Sequence, residues 1–225
     1  YWREGDIENG LELIDEGLKK IRAVFGNQEE NLIVLFVQAN LNGRKGDQDL
    51  AKEQYLKILD KLGEKNEAIH IGFSNVGLAN IYYHKGELDI AKNYGKKALD
   101  FFEKCRYHYG MGWSHFVLSK IYYERGEFDK AFEHIQTGLD LRLAMGNKQD
   151  ISLSTRDLII FLIEQKSLDD INDYLLMLEK LSSSTDNKIV LQNYLLSKAL
   201  VLKAKGRPKY WVQAIDILED IVSQP

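Results

Sequence analysis

Residues 72–91 read GFSNVGLANIYYHKGELDIA, and residues 112–131 read GWSHFVLSKIYYERGEFDKA. Ten of the twenty positions are identical: Gly72/Gly112, Ser74/Ser114, Leu78/Leu118, Ile81/Ile121, Tyr82/Tyr122, Tyr83/Tyr123, Gly86/Gly126, Glu87/Glu127, Asp89/Asp129 and Ala91/Ala131. A block returning at this period is the mark of a stacked repeat protein, in which each unit buries its apolar face against the next.

Working outward, the turn glycine serves as a phase marker. Gly5, Gly46, Gly86, Gly126 and Gly206 fall about one period apart, with one slot, Lys166, lacking the glycine. Five residues after each marker stands a small or apolar residue: Gly10, Ala51, Ala91, Ala131 and Ile171. In the last unit two registers stay open, one with Ala214 in that position and the other with Trp211. Gly26-Asn27, Lys65-Asn66, Gly146-Asn147 and Asp186-Asn187 mark a second turn in each unit.

Between the turns the apolar spacing is helical. Leu88, Ala91, Tyr94, Gly95, Ala98, Leu99 and Phe102 form one stripe, and Phe128, Ala131, Phe132, Ile135, Gly138, Leu139 and Leu143 repeat it. Prolines occur only at Pro208 and Pro225, so little interrupts helix formation. Asp89, Asp129 and Asp169 suit helix N-termini, where a carboxylate meets unpaired N–H groups. Each unit is therefore expected to be two antiparallel helices of about 17 residues.

At this point the chain resembles the tetratricopeptide repeat. The signature of a leucine and a small residue, a tyrosine, a turn glycine, an alanine and a second small residue reads Leu78-Ala79, Tyr82, Gly86, Ala91, Ala98. It reads again as Leu118-Ser119, Tyr122, Gly126, Ala131, Gly138. Ala39, Gly46, Ala51 and Ile58 give a weaker match, and the family's usual proline at the end of the second helix is missing. The forty-residue period exceeds the family's 34. It is similar to the extended repeats of spindle-orientation adaptors, kinesin light chains, Rap-type peptide-sensing regulators and large microbial signalling proteins. The resemblance implies an all-α, right-handed α-solenoid of antiparallel helix pairs, a superhelix of about five repeats plus a truncated N-terminal one. A single domain over 1–225 is expected, with units near 1–26, 27–66, 67–106, 107–146, 147–186 and 187–225.

Composition narrows the function. Net charge is −4, with 28% charged and 44% hydrophobic residues. No broad basic surface of the kind nucleic acid needs is evident, and Lys198, Lys203, Lys205, Arg207 and Lys209 read as a solvated face. No apolar run approaches the roughly 18 residues of a membrane span. The single cysteine, Cys105, forms no intramolecular disulfide and fits a reducing, cytoplasmic compartment. His70, His84, His108, His115 and His134 contain no i, i+4 pair and there is no CxxC, so neither a metal, a cofactor nor an enzyme is expected. Gly110-Met111-Gly112 lacks the phosphate-loop pattern; Gly72 and Gly112 read as helix-packing positions.

In the resembled family the first helix of each unit lines a concave groove. Carried over by position, the peptide-binding candidates are Phe36, Asn40, Phe73, Asn80, Tyr83, Trp113, Phe116, Lys120, Tyr123 and Arg156, flanked by Ile33, Arg44, Val76, Asp157 and Ile160. Asn40, Asn80 and Lys120 share one phase, and stacking sets them in a row about 10 Å apart, able to hold a peptide backbone or carboxylate. The alternatives are plain solvated polar residues and, for the aromatics, core packing. Family members that clamp chaperone C-termini carry lysine one turn before the asparagine. Here those slots hold Phe36, Val76 and Phe116, which argues against such a clamp.

The leading expectation is a scaffold binding a peptide or helix of a protein partner. A ligand- or peptide-sensing module of a larger regulator is the second. Self-association as a homodimer through Trp211, Ile215, Leu218 and Val222 is the third, because the last helix is apolar on more than one side, Ile217 and Ile221 lying on another. That same feature, with Tyr1-Trp2 standing like the tail of a cut helix, also reads as an excised part of a longer chain.

Overall fold

The computed structural model describes residues 16–17, 19–20, 23, 32–63, 68–167 and 170–223, with side chains through Glu219 in the last helix. Gly5, Gly10, Gly26-Asn27, Lys65-Asn66, Asp169 and the Val222 side chain lie outside the described residues. What is described is helical: α1 (Leu32–Lys45), α2 (Gln48–Leu62), α3 (Ile69–His84), α4 (Leu88–Lys104), α5 (His108–Glu124), α6 (Phe128–Met145), α7 (Lys148–Glu164), α8 (Ile171–Ser183), α9 (Lys188–Ala204) and α10 (Pro208–Ser223). The chain divides into two compact units, 1–126 with α1–α5 and 127–225 with α6–α10.

The turn chemistry drawn from the glycine phase holds. Gly86 has φ +75°, in the left-handed region that ends a helix without a Cβ clash, and the Glu87 N–H reaches back to the Tyr82 carbonyl at 2.9 Å. Lys166, in the slot without glycine, takes the same shape at φ +57°, with Ser167 N–H on the Leu162 carbonyl at 2.9 Å. Asn147 and Asn187 are the N-caps of α7 and α9, their side-chain oxygens accepting from the next turn's N–H groups. Asp49, Asp89 and Asp129 lie in the first turns of α2, α4 and α6.

In the first unit, α3 packs on α1, α2, α4 and α5 and is buried almost all round, through Gly72, Ser74, Asn75, Val76, Leu78, Ala79 and Ile81. Its neighbour α4 buries only one stripe, Ala91, Gly95, Ala98 and Phe102. First helices are thus sandwiched, while second helices keep a polar side. Phe102 is fully buried, which favours folding by about 1.5–3 kcal/mol. Two ion pairs join successive repeats, Lys85 to Asp49 and Arg125 to Asp89. Lys85 holds the Asp49 carboxyl below its usual range by hydrogen bond and charge.

In the second unit α9 packs on α7, α8 and α10, and α7 on α6 and α8. The α6 stripe departs from expectation. Ala131, Gly138 and Leu139 are buried, but Phe128 and Leu143 are exposed and Arg142 is buried. Arg142 continues the 131, 135, 138 spacing. Its guanidinium meets Ser154 on α7 and lies near the Asp150 carboxyl, one oxygen of which is buried without a hydrogen-bond partner and whose titration burial pushes up and Arg142 partly restrains. In the last unit Ala214 is the buried residue and Trp211 is exposed, which resolves the register left open by the sequence. Helix lengths run from 13 to 18 residues, close to the expected 17.

Candidate binding surface

The helix repeat places candidate side chains at the same azimuth on α1, α3 and α5. Phe36 on α1 lies edge-on to His70 at 5.1 Å and Tyr55 at 6.3 Å, and 6.2 Å from Phe73 on α3. Phe73 meets Phe102 at 5.0 Å, Tyr107 at 6.1 Å and Tyr109 at 6.2 Å. Tyr109 continues to Trp113 at 6.3 Å, and Trp113 to Phe116 at 5.7 Å. The result is one line of rings across three helices. Edge-to-face pairs of this kind stabilise by about 0.5–1.5 kcal/mol each beyond burial.

These rings are neither wholly core nor wholly surface. Phe36, Phe73, Trp113 and Phe116 are half-buried, and Tyr109 is exposed. Phe73 and Trp113 rest against the buried cluster of Val76, Ala98 and Phe102, and Phe36 against that of Leu35, Ala39 and Tyr55. The core braces Phe36, Phe73 and Trp113 on one side and leaves each part-exposed.

The polar row behaves differently. Asn40 donates to the Phe36 carbonyl at 2.8 Å, and Asn80 to the Val76 carbonyl at 3.2 Å. Lys120 sets its ammonium 4.3 Å above the Phe116 ring. All three turn back on the residue one helical turn earlier, so each Asn amide has one N–H engaged within its own helix. Tyr83 is half-buried and donates to Glu124 on α5 at 3.4 Å. Burial first, and then Glu124, pushes its phenol up. Tyr123 is half-buried; of the flanking positions, Ile33 and Arg44 are exposed and Val76 is buried.

Tyr107, Tyr109 and His70 belong to this surface but were not among the sequence candidates. Tyr109 stands one helical turn before Trp113, so the i−4 position of a marked aromatic was the available signal.

In the second unit Arg156 serves a different purpose. Its Nε and Nη2 donate to Asp157 at 3.0 and 2.8 Å, and Nη1 to Asn193 on α9 at 2.9 Å. Buried Asn193 in turn donates to Ser152 on α7 at 2.9 Å. The guanidinium ties two first helices together. An open depression of about 500 Å³ runs along α8, lined by Asp173, Leu176, Met177, Lys180, Leu181 and Ser184, and includes none of the sequence candidates. On α10, Trp211, Ile215 and Leu218 are exposed, and the Trp211 indole donates to the Lys203 carbonyl at 3.4 Å.

Among the described residues no group of three His, Cys, Asp or Glu side chains could hold a metal ion. Cys105 caps α4 and is exposed rather than packed. No described helix is long and apolar enough to cross a membrane.

The family profile of the tetratricopeptide repeat matches residues 71–144, spanning most of α3 through α6. No curated protein sequence matches this chain significantly. Among solved structures, BtubC (BKLC) from P. vanneervenii is similar at 14% identity and TM-score 0.72, over 97% of this chain and 93% of that one. A Rap protein complexed with competence and sporulation factor is similar at 14% identity and TM-score 0.71, over 92% of this chain and 58% of that one. The apo form of RapI is similar at 16% identity and TM-score 0.66, over 84% and 68%. At such identities the likeness concerns the fold. Residues 71–144 are tetratricopeptide repeats, set in an all-α solenoid of repeated helix pairs.

Proposed function

We propose that this chain is a protein-interaction scaffold that binds an apolar-anchored helix or peptide of a partner protein along α1, α3 and α5. The observation that carries this reading is the ring line Phe36–Phe73–Tyr109–Trp113–Phe116, braced by the core and part-exposed along its length. Such rings lose little freedom on binding, because their conformation is already set. Aromatic side chains with a polar tip, here Tyr109 and Trp113, are the residue types that dominate binding hot spots. The inward turn of Asn40 and Asn80 leaves less of the amide row for gripping an extended backbone. This favours a partner helix presenting side chains at i, i+3, i+4 and i+7. The similar Rap structure is a complex with competence and sporulation factor, which supports a binding role by analogy of fold. No catalytic step is assigned to the surface.

The test is selection from a displayed library of amphipathic helical peptides, followed by calorimetry on the best binder. Tyr109→Ala and Trp113→Ala each weaken binding about ten- to thirtyfold, as expected of hot-spot aromatics. Circular dichroism verifies that helicity is kept. Unchanged affinity in both variants, with the fold intact, removes the assignment of this surface.

A further inference from the structure

We infer that α10 carries a self-association surface, on which a second copy of this chain packs antiparallel. The inference is independent of the ring line on α1, α3 and α5.

Among the described residues the other second helices obey the helix dipole. α2, α4, α6 and α8 begin with Asp49, Asp89, Asp129 and Asp173, and end with Lys61, Lys104, Arg142 and Lys180. α10 has no acid in its first turn and no base in its last. Its charge runs the other way. Arg207 and Lys209 stand exposed at its N-terminal end, and Asp216 and Glu219 stand exposed in its C-terminal half. Within one chain Arg207 and Lys209 oppose the dipole at the N-terminal end.

The apolar side of α10 is open as well. Trp211, Val212, Ile215 and Leu218 are 52%, 59%, 54% and 42% exposed. Beside this stripe Ala214, one turn from Trp211 and Leu218, is buried where α10 packs on α9. On α10, the stripe Trp211, Ile215, Leu218 and the flank Lys209, Val212, Asp216, Glu219 lie side by side at helical spacing.

A second copy laid antiparallel about Ile215 answers both features. Lys209 lies about 9 Å along the axis to one side of Ile215 and Glu219 about 6 Å to the other. The two-fold therefore brings the Lys209 end of each copy beside the Glu219 end of the other, twice. Trp211 and Val212 of one copy meet Leu218 of the other, and the two dipoles oppose. This is an isologous interface, closed at two copies. One helix pair buries less than the roughly 1,200 Å² of a standard stable interface, so the dimer dissociates on dilution.

The experiment is light scattering after size exclusion across a concentration series of the 225-residue chain. The expected mass moves from 26.0 kDa when dilute to twice that when concentrated. Ile215→Asp abolishes the dimer while leaving helicity unchanged, since Ile215 is solvent-exposed in the monomer. Lys209→Glu and Glu219→Lys each raise the dissociation constant about tenfold, by setting like charges together at both ends. Combined, they restore it to within about threefold of the parent. A constant 26.0 kDa at every concentration overturns the inference. So does a dimer indifferent to Ile215→Asp. A double variant no better than the singles overturns the antiparallel arrangement.

Discussion

Gly110→Ala isolates the packing that holds the first unit together. A Cβ at Gly110 on α5 would stand closer than 3.0 Å to three atoms of the Phe102 ring, and a Cβ at Gly72 on α3 would do the same from the other helix. Carbon contacts are favourable near 3.5–4.0 Å, so the ring would have to move. It has nowhere to go: Phe102 is fully buried, with Phe73 at 5.0 Å, Phe101 at 5.6 Å and Tyr107 at 5.7 Å. Overpacking of this kind costs about 1–3 kcal/mol. Against it stands the gain of about 1 kcal/mol when alanine replaces glycine inside a helix. A net loss of up to about 2 kcal/mol follows, and the thermal unfolding midpoint followed by far-UV circular dichroism should fall by up to about 8 °C. Gly43→Ala on α1 is the matched control. Its nearest neighbour is the Ala51 Cβ at 3.7 Å, an ordinary contact, so only the helix gain remains and the midpoint rises by about 1–4 °C. Phe102→Leu should cost less in the Gly110→Ala background than alone, because the smaller side chain relieves the clash. If Gly110→Ala raises the midpoint as Gly43→Ala does, or if the Phe102→Leu costs simply add, the wedge argument is wrong. Because Phe73 rests on Phe102, Gly110→Ala should also weaken the peptide binding proposed for the ring line.

Two further outcomes are expected. Lys166→Gly should raise the unfolding midpoint by about 1–4 °C, from about 0.5–1 kcal/mol, because glycine takes the +57° φ of that turn without a Cβ clash; no gain would show that the lysine is not strained there. For Asp150, burial raises the folded pKa above the unfolded one, so the folded state binds the extra proton and the group's contribution falls as pH rises from about 3.9 through the raised value. The stability difference between Asp150→Asn and the parent, taken from urea midpoints at several pH values, should therefore shift toward the variant across that window and level off above it. A shift toward the parent would mean that Arg142 outweighs the burial.

Much of the candidate surface was legible as position and little of it as role. Phe36, Phe73, Trp113 and Phe116 follow from the period, since residues one period apart share an azimuth when helices stack. Their dual placement does not. Whether a ring edge is open depends on what the neighbouring helices present, and Tyr107 and Tyr109 complete the line only because a second helix comes alongside. Asn40, Asn80 and Lys120 share a phase as expected, yet each turns back along its own helix onto a carbonyl or ring one turn away. Arg156 was grouped with the binding candidates by phase, but Asp157 and Asn193 hold its guanidinium between α7 and α9.

The local features were set by short-range physics and could be read directly. A turn needing positive φ selects glycine, an open helix N-terminus selects Asn or Asp, and a half-buried helix shows its stripe at steps of three and four. Gly86, Asn147, Asn187 and the α4 stripe are such cases. Other choices are degenerate at that range. Ala214 against Trp211, and Arg142 against Leu143, differ only by the roll of one helix on its neighbour. That roll is decided by the fit of all the side chains packed across it. Phe102 is wedged between glycines that are 38 residues apart in sequence, Gly72 and Gly110, and no window along the chain contains that contact. Burial is a property of the assembled helices, so only the tertiary structure could say which of two adjacent candidates lay inside.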